Sequence, residues 1–270
     1  IGYEFLRLYE LAGPHYEAAH DASLRVPAGG ANPMLWSGNL SMMHLQWALE
    51  LYRVGQVEEA ERQSARAAEA AEIALDEART WGDERRIAMT ELQRDCALAD
   101  GPHVDEIVDR LLAASEHLRE QGVSELTYFA APFVSVALSR TGRHEQALEY
   151  IDRAWREGQR EGNPLSDAAI THTRAMLLAE GGSADAAAAL EYGNIMANLL
   201  WRERLRSLHM ARTLREFESL RTLHEQVTLT ASTDPLTGLA NRRGLDDVVD
   251  HLADQPTPVG VLVVDLDRFK

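Results

Sequence analysis

Leu138-Ser139-Arg140-Thr141-Gly142-Arg143-His144-Glu145-Gln146-Ala147-Leu148 reads as one helix ending and the next beginning. Glycine can take the left-handed backbone that closes a helix. The alanine five positions later lets the second helix lie close against the first. Tyr52-Arg53-Val54-Gly55-Gln56-Val57-Glu58-Glu59-Ala60 repeats the pattern, and Leu178-Ala179-Glu180-Gly181-Gly182-Ser183-Ala184-Asp185-Ala186-Ala187 repeats it loosely. Gly55, Gly101, Gly142 and Gly182 follow one another at 46, 41 and 40 residues. Gly101 is the weakest copy, because Pro102-His103-Val104 leads to no alanine. Gly82, Gly122 and Gly162 mark further breaks. Between the breaks the chain is rich in Ala, Leu, Glu and Arg, all strong helix formers. Apolar residues recur at spacings of three and four, as in Leu45, Ala48, Leu49 and Tyr52, or Leu111, Ala114, Ser115 and Leu118 with a serine in the seam. Residues 1–190 are therefore expected to form antiparallel helix pairs stacked side by side, in a mainly α protein.

The Gly-turn-Ala pattern resembles the tetratricopeptide repeat (TPR) family of helical hairpins. Its spacing exceeds the roughly 34 residues of the standard repeat, so the likeness is to longer-helix relatives. The alternative is an irregular all-helical domain. A TPR-like stack implies a groove for a protein or peptide partner. Trp36, Trp47, Trp81, Trp155 and Trp201 are expected to pack within and between repeats. His15, His20, His44, His103, His117, His144 and His172 are scattered singly and read as surface or packed histidines.

Residues 191–231 differ: after Gly193 they hold neither Gly nor Pro. They are expected to form one long linker helix. Met210, Thr213, Phe217, Leu220, His224, Val227 and Ala231 follow the 3-4 spacing of a coiled-coil seam. A homodimer through this helix is the expectation; a helix that merely caps the stack is the alternative.

Composition shifts again over residues 232–270. Pro235 ends the long helix and disfavours helix at Asp234. A turn, a helix from Asn241 to Leu252 and a loop lead to Val259-Gly260-Val261-Leu262-Val263-Val264, which reads as a strand buried on both faces. Asp265-Leu266-Asp267 then sets carboxylates at its end. Hard cations such as Mg²⁺ take oxygen ligands of this kind and leave positions open for substrate phosphates.

Asp234-Pro235-Leu236-Thr237-Gly238-Leu239-Ala240-Asn241-Arg242-Arg243 resembles the D-x-L-T-G-L-x-N-R-R opening of GGDEF (diguanylate cyclase) domains. Val263-Val264-Asp265-Leu266-Asp267-Arg268-Phe269-Lys270 resembles their D-x-D-x-F-K strand end, in the right order and at the right separation. The resemblance implies the start of an α/β nucleotidyl-cyclase-like domain. It maps the catalytic, metal-ligating carboxylate onto Asp265 and a ligating backbone carbonyl onto Leu266, for Mg²⁺ or Mn²⁺. It places Arg268, Phe269 and Lys270 at the GTP phosphates and leaves Asp267 to orient the loop. It makes Asp234, Asn241, Arg242 and Arg243 structural at the domain start, with an ion pair between Asp234 and one of the two arginines.

The implied activity is condensation of two GTP into cyclic di-GMP, under control of the helical region. The GG(D/E)EF hairpin itself is not in this sequence, so the fragment alone is expected to be inactive. Two alternatives stay open: a degenerate GGDEF protein acting as a binding module, or a fusion to a cyclic di-GMP phosphodiesterase (EAL) domain.

The bulk composition fits an ordinary soluble protein. A net charge of −16 repels nucleic acid and anionic membrane. Hydrophobic residues at 45% suffice for a core. Cys96 is the single cysteine, so no internal disulfide can form, which fits a reducing cytoplasm. The longest apolar runs are too short to span a bilayer, and the N-terminus carries no signal-peptide pattern. Beginning at Ile1 in what reads as mid-helix, the chain is expected to be part of a longer protein.

Overall fold

The computed structural model describes residues 2–26, 32–158, 164–253, 260 and 262. It divides into two units, Ile1–Ser207 and Leu208–Lys270. The described elements are all helices: α1 (Gly2–Phe5), α2 (Tyr9–Leu24), α3 (Pro33–Arg53), α4 (Val57–Trp81), α5 (Glu84–Leu98), α6 (Val104–Glu120), α7 (Ser124–Arg140), α8 (His144–Gly158), α9 (Pro164–Glu180), α10 (Ala184–Ser232) and α11 (Arg242–Ala253). From α2 to α9 each helix packs on the next in sequence, and α7 also meets α9. No described helix is long and apolar enough to cross a membrane.

Four turns of the first unit share one hydrogen-bonding scheme. At Gly142 (φ 78°) the glycine N–H donates to Ser139 O and the next N–H, of Arg143, donates to Leu138 O. Gly55, Gly122 and Gly182 repeat this with Tyr52 and Leu51, Arg119 and Leu118, and Ala179 and Leu178. This is the Schellman closure, which satisfies the helix's last carbonyls and needs a left-handed residue. The sequence expectation changes in one place: Gly101 is not of this kind, and Gly122 is. Gly101 sits in the longer link between α5 and α6 without positive φ. The packing alanine after the turn holds for Ala60 and Ala147, both fully buried. Thr127 takes the place after Gly122, and Ala187 after Gly182 is exposed.

The main core runs from Leu45 through Leu92, Leu111, Leu118, Leu138 and Ile151 to Leu177. Ser115 fits that seam because its hydroxyl and that of Tyr150 lie 2.6 Å apart, so neither polar group is buried unpaired. A second cluster gathers Tyr9, Tyr16, Met43, Trp47, Leu51 and Trp201. Trp81 and Trp155 were expected in the core but are exposed. Trp81 is the last residue of α4, beyond its buried stripe, and Trp155 carries the Arg174 guanidinium over its ring at 5.1 Å.

A buried ionic network joins α2, α3 and α10. Glu50 is 2% exposed. It accepts two bonds from Arg7 Nε (3.0 and 2.9 Å), one from Arg7 Nη2 (2.5 Å) and one from the Tyr9 hydroxyl (2.5 Å). Burial works against the Arg7 charge, but its hydrogen bond and attraction to Glu50 outweigh that and hold its pKa above the ordinary value. Arg204 donates to Arg7 O (2.6 Å) and Glu10 (2.5 Å), and its guanidinium lies 4.3 Å from the Trp201 ring centroid.

The helix expected to start near residue 190 begins at Ala184 and passes through Gly193 without a break. Its stretch in the second unit is solvent-exposed throughout the expected seam, including Met210, Phe217, Leu220 and Val227. No strand occurs among the described residues. Of the expected strand only Gly260 and Leu262 are described, and Leu262 is exposed. The rest of the expected strand lies outside the described residues.

Replacing Glu50 with alanine leaves Arg7 charged and partly buried without its acceptor. The expected cost is about 3–5 kcal/mol, read as a lower midpoint in urea unfolding of the first unit.

Candidate functional site

The turn that follows α10 is built from its own residue types. Thr233 and Ala240 form an antiparallel bridge. Asp234 N–H donates to Leu239 O (2.8 Å) and Asn241 N–H donates to Ser232 O (2.9 Å). The loop is closed by Gly238, whose φ of 70° suits glycine and whose N–H donates to Asp234 O at 2.9 Å. The Asp234 carboxylate accepts from Leu236 N (3.1 Å), Thr237 N (2.9 Å) and Thr237 Oγ1 (2.9 Å). Backbone and side-chain hydrogen bonds from Thr237, then that from Leu236, hold its pKa below the usual carboxylate value.

Asn241 joins the two helices. Its Oδ1 accepts from Gly244 N (3.0 Å), which caps α11. Its Nδ2 donates to Ala231 O (2.9 Å) and Thr233 O (3.3 Å), carbonyls at the end of α10 that have no helical partner ahead of them. Gly244 is buried, and a Cβ there would collide with the Ser232 carbonyl. Glycine at this position is what lets α11 start against the end of α10. Sequence reading did not single out Gly244. Its signal is a glycine inside an expected helix, which either costs stability or marks a close approach.

Sequence comparison adds one short match. A cyclic di-GMP phosphodiesterase of Escherichia coli (strain K12), PdeR, is 40% identical over 52 residues. That stretch covers 18% of this chain and 8% of that protein. No family model matches the chain, and no solved structure does.

The candidate residues thus fall in two groups. Asp234 and Asn241 are brought together by the turn. Arg242 and Arg243 are exposed in the first turn of α11. The expected ion pair between Asp234 and one of these arginines is absent: the Asp234 carboxylate instead receives the donors of its own turn. Asp265, Leu266, Arg268, Phe269 and Lys270 lie outside the described residues. Among the described residues no group of three or more His, Cys, Asp or Glu could hold a metal ion. Leu245, Val248 and Val249 of α11 are half or more exposed, so this helix presents an apolar face.

Asn241→Ala removes the cap and both bonds to α10. A lost cap costs about 1 kcal/mol, and faster amide hydrogen exchange in Arg242–Ala253, with the first unit unchanged, is the expected reading. Gly244→Ala should show a larger loss of protection in the same segment.

Proposed function

We propose that this chain belongs to a cyclic di-GMP signalling protein whose parent is a diguanylate cyclase controlled by its helical region. One observation carries the reading. Asp234–Arg243 and Asp265–Lys270 follow the opening and strand-end patterns of GGDEF domains, in order and directly behind a long helix. The name of the E. coli relative supports the broader signalling role.

In this reading Asp265 is the catalytic carboxylate and, with the Leu266 carbonyl, the metal site. Carboxylate and carbonyl oxygens are the hard donors that Mg²⁺ or Mn²⁺ prefers. Bound there, the ion supplies Lewis acidity at the substrate phosphates. The Arg268 and Phe269 backbone orients the GTP triphosphate, and Lys270 offsets its charge. Two GTP must meet, so two catalytic domains must face each other. The exposed stripe of Met210, Phe217, Leu220 and Val227 supports a homodimer through α10. Polar Thr213 and His224 interrupt that stripe, and a flawed seam can hold two registers of similar energy, as a switch requires.

A second reading draws on the relative's printed activity: a parent that also hydrolyses cyclic di-GMP through a further domain. Assaying the full-length protein with GTP and, separately, with cyclic di-GMP distinguishes the two. Asp265→Asn should lower cyclic di-GMP synthesis at least 100-fold with the circular dichroism spectrum unchanged. Synthesis near the unmutated rate would place the site elsewhere.

The Thr213→Leu, His224→Leu double variant tests the relay. It is expected to shift the monomer–dimer balance toward dimer in analytical ultracentrifugation and to fix cyclase output at one level. A protein that stays monomeric at every concentration would sink the coiled-coil idea.

A further inference from the structure

Four helices of the first unit close into a ring: α3 meets α5, α5 meets α7, α7 meets α9, and α9 meets α3. Between them lies a cavity of about 280 Å³. That is near the small end of the range for ligand sites. Its lining comes from α3, α7 and α9 and from Ala99 and Asp100, just past the end of α5. All of the lining belongs to the described residues. Exposed Arg140 and Glu180, each the last residue of its helix, mark where the cavity meets solvent.

The wall is mostly carbon. Leu49, Val136 and Met176, one each from α3, α7 and α9, line it and are only half-buried, so they keep apolar surface that the ring does not cover. Phe133 and Pro132 adjoin them. Proline is unfavourable inside a helix, yet Pro132 stands within α7 at this wall. The charges of the lining balance. Arg53 and Arg140 stand with Asp100 and Glu180, and Asp100 pairs with Arg140. Glu50, which acts on Arg53 from outside the cavity, is itself bound by Arg7. His172 also lines the wall, and burial lowers its pKa, so it is uncharged at neutral pH.

We infer that this cavity binds a compact, uncharged, mainly apolar small molecule. The molecule lies against Leu49, Val136 and Met176 and enters past Arg140 and Glu180. An anion or a cation would add an unbalanced charge to a set that is already even, and burying such a charge is costly. Helix ends attract cations, but the last-turn carbonyls of Leu51, Leu138 and Leu178 already accept the backbone N–H groups of the closing turns. An extended peptide would bury its amides against a carbon wall that cannot pair them, and the contact between α9 and α3 closes the ring against a through-running chain. This inference does not depend on the cyclase reading.

The test is a nuclear magnetic resonance titration of the 270-residue chain with indole and benzyl alcohol as uncharged probes. Benzoate and benzylamine carry one charge of either sign on a similar body. At least one uncharged probe should bind ten or more times tighter than both ions, a preference worth roughly 1.4 kcal/mol. Hydrogen exchange should slow in residues 49–53, 132–140 and 169–180, which line the cavity. Val136→Phe should weaken binding at least tenfold while leaving the melting temperature equal or higher, because the larger ring fills the space. Should Val136→Phe fail to fold, the comparison of charged with uncharged probes and the location of the slowed exchange decide alone. No binding of either uncharged probe at millimolar concentration would overturn the assignment. So would an ion that binds as tightly, protection confined to other segments, or unaltered binding in a folded Val136→Phe.

Discussion

Glu50 is a carboxylate placed almost wholly out of water in the middle of an apolar cluster, and the compensation of its charge organises the first unit. A lone buried carboxylate is costly. Here it gathers the Arg7 guanidinium and the Tyr9 hydroxyl, which brings the start of α2 onto α3. Arg7 then offers its own carbonyl to Arg204, so a residue of α10 is fixed to one nearly two hundred positions earlier in the chain. Trp201, Tyr9 and Trp47 surround the Arg204 guanidinium, and stacked aromatic faces suit a cation held away from solvent. One carboxylate thereby helps hold the part of α10 that belongs to the first unit, through Arg7 and Arg204.

The helical hairpins were legible because their turns obey a local rule. A left-handed residue must close the helix, and glycine takes that conformation without strain. Gly101 and Gly122 both fall at the expected breaks, but only Gly122 has this closure, which shows the limit of the Gly-turn-Ala pattern. The alanine five residues on is not required: Thr127 fills that place after Gly122, its hydroxyl donating to the Val123 carbonyl at 3.0 Å. Val123 and Leu118, both buried, supply the hydrophobic contact that accompanies this closure. Trp81 falls at the very end of α4, beyond its buried stripe, and Trp155 lies on the exposed side of α8 under the Arg174 guanidinium; size and hydrophobicity alone give neither place.

At the domain start the residue types were readable, but their partners were not. An aspartate and two arginines within one short segment suggest an ion pair, yet a backbone that turns at Pro235 delivers three donors to Asp234 first. Local geometry wins over a flexible, solvated pair, which contributes little in water. The cavity beside Arg53 left no trace in the sequence at all. It depends on side chains brought together from distant parts of the chain, as Glu50 and Tyr9 are across 41 positions.

The Asn241 clip has a consequence for phase. Because Asn241 binds the last carbonyls of α10 and Gly244 lets α11 abut them, α11 turns with α10 as a crank turns with its shaft. Within the second unit, one residue added between Val227 and Ala231 would swing α11 by about 100° around the α10 axis and advance it by about 1.5 Å. Seven residues would bring it back to within about 20° of its original angle. The angular position of α11 about the α10 axis is therefore quantised by the length of this stretch of helix.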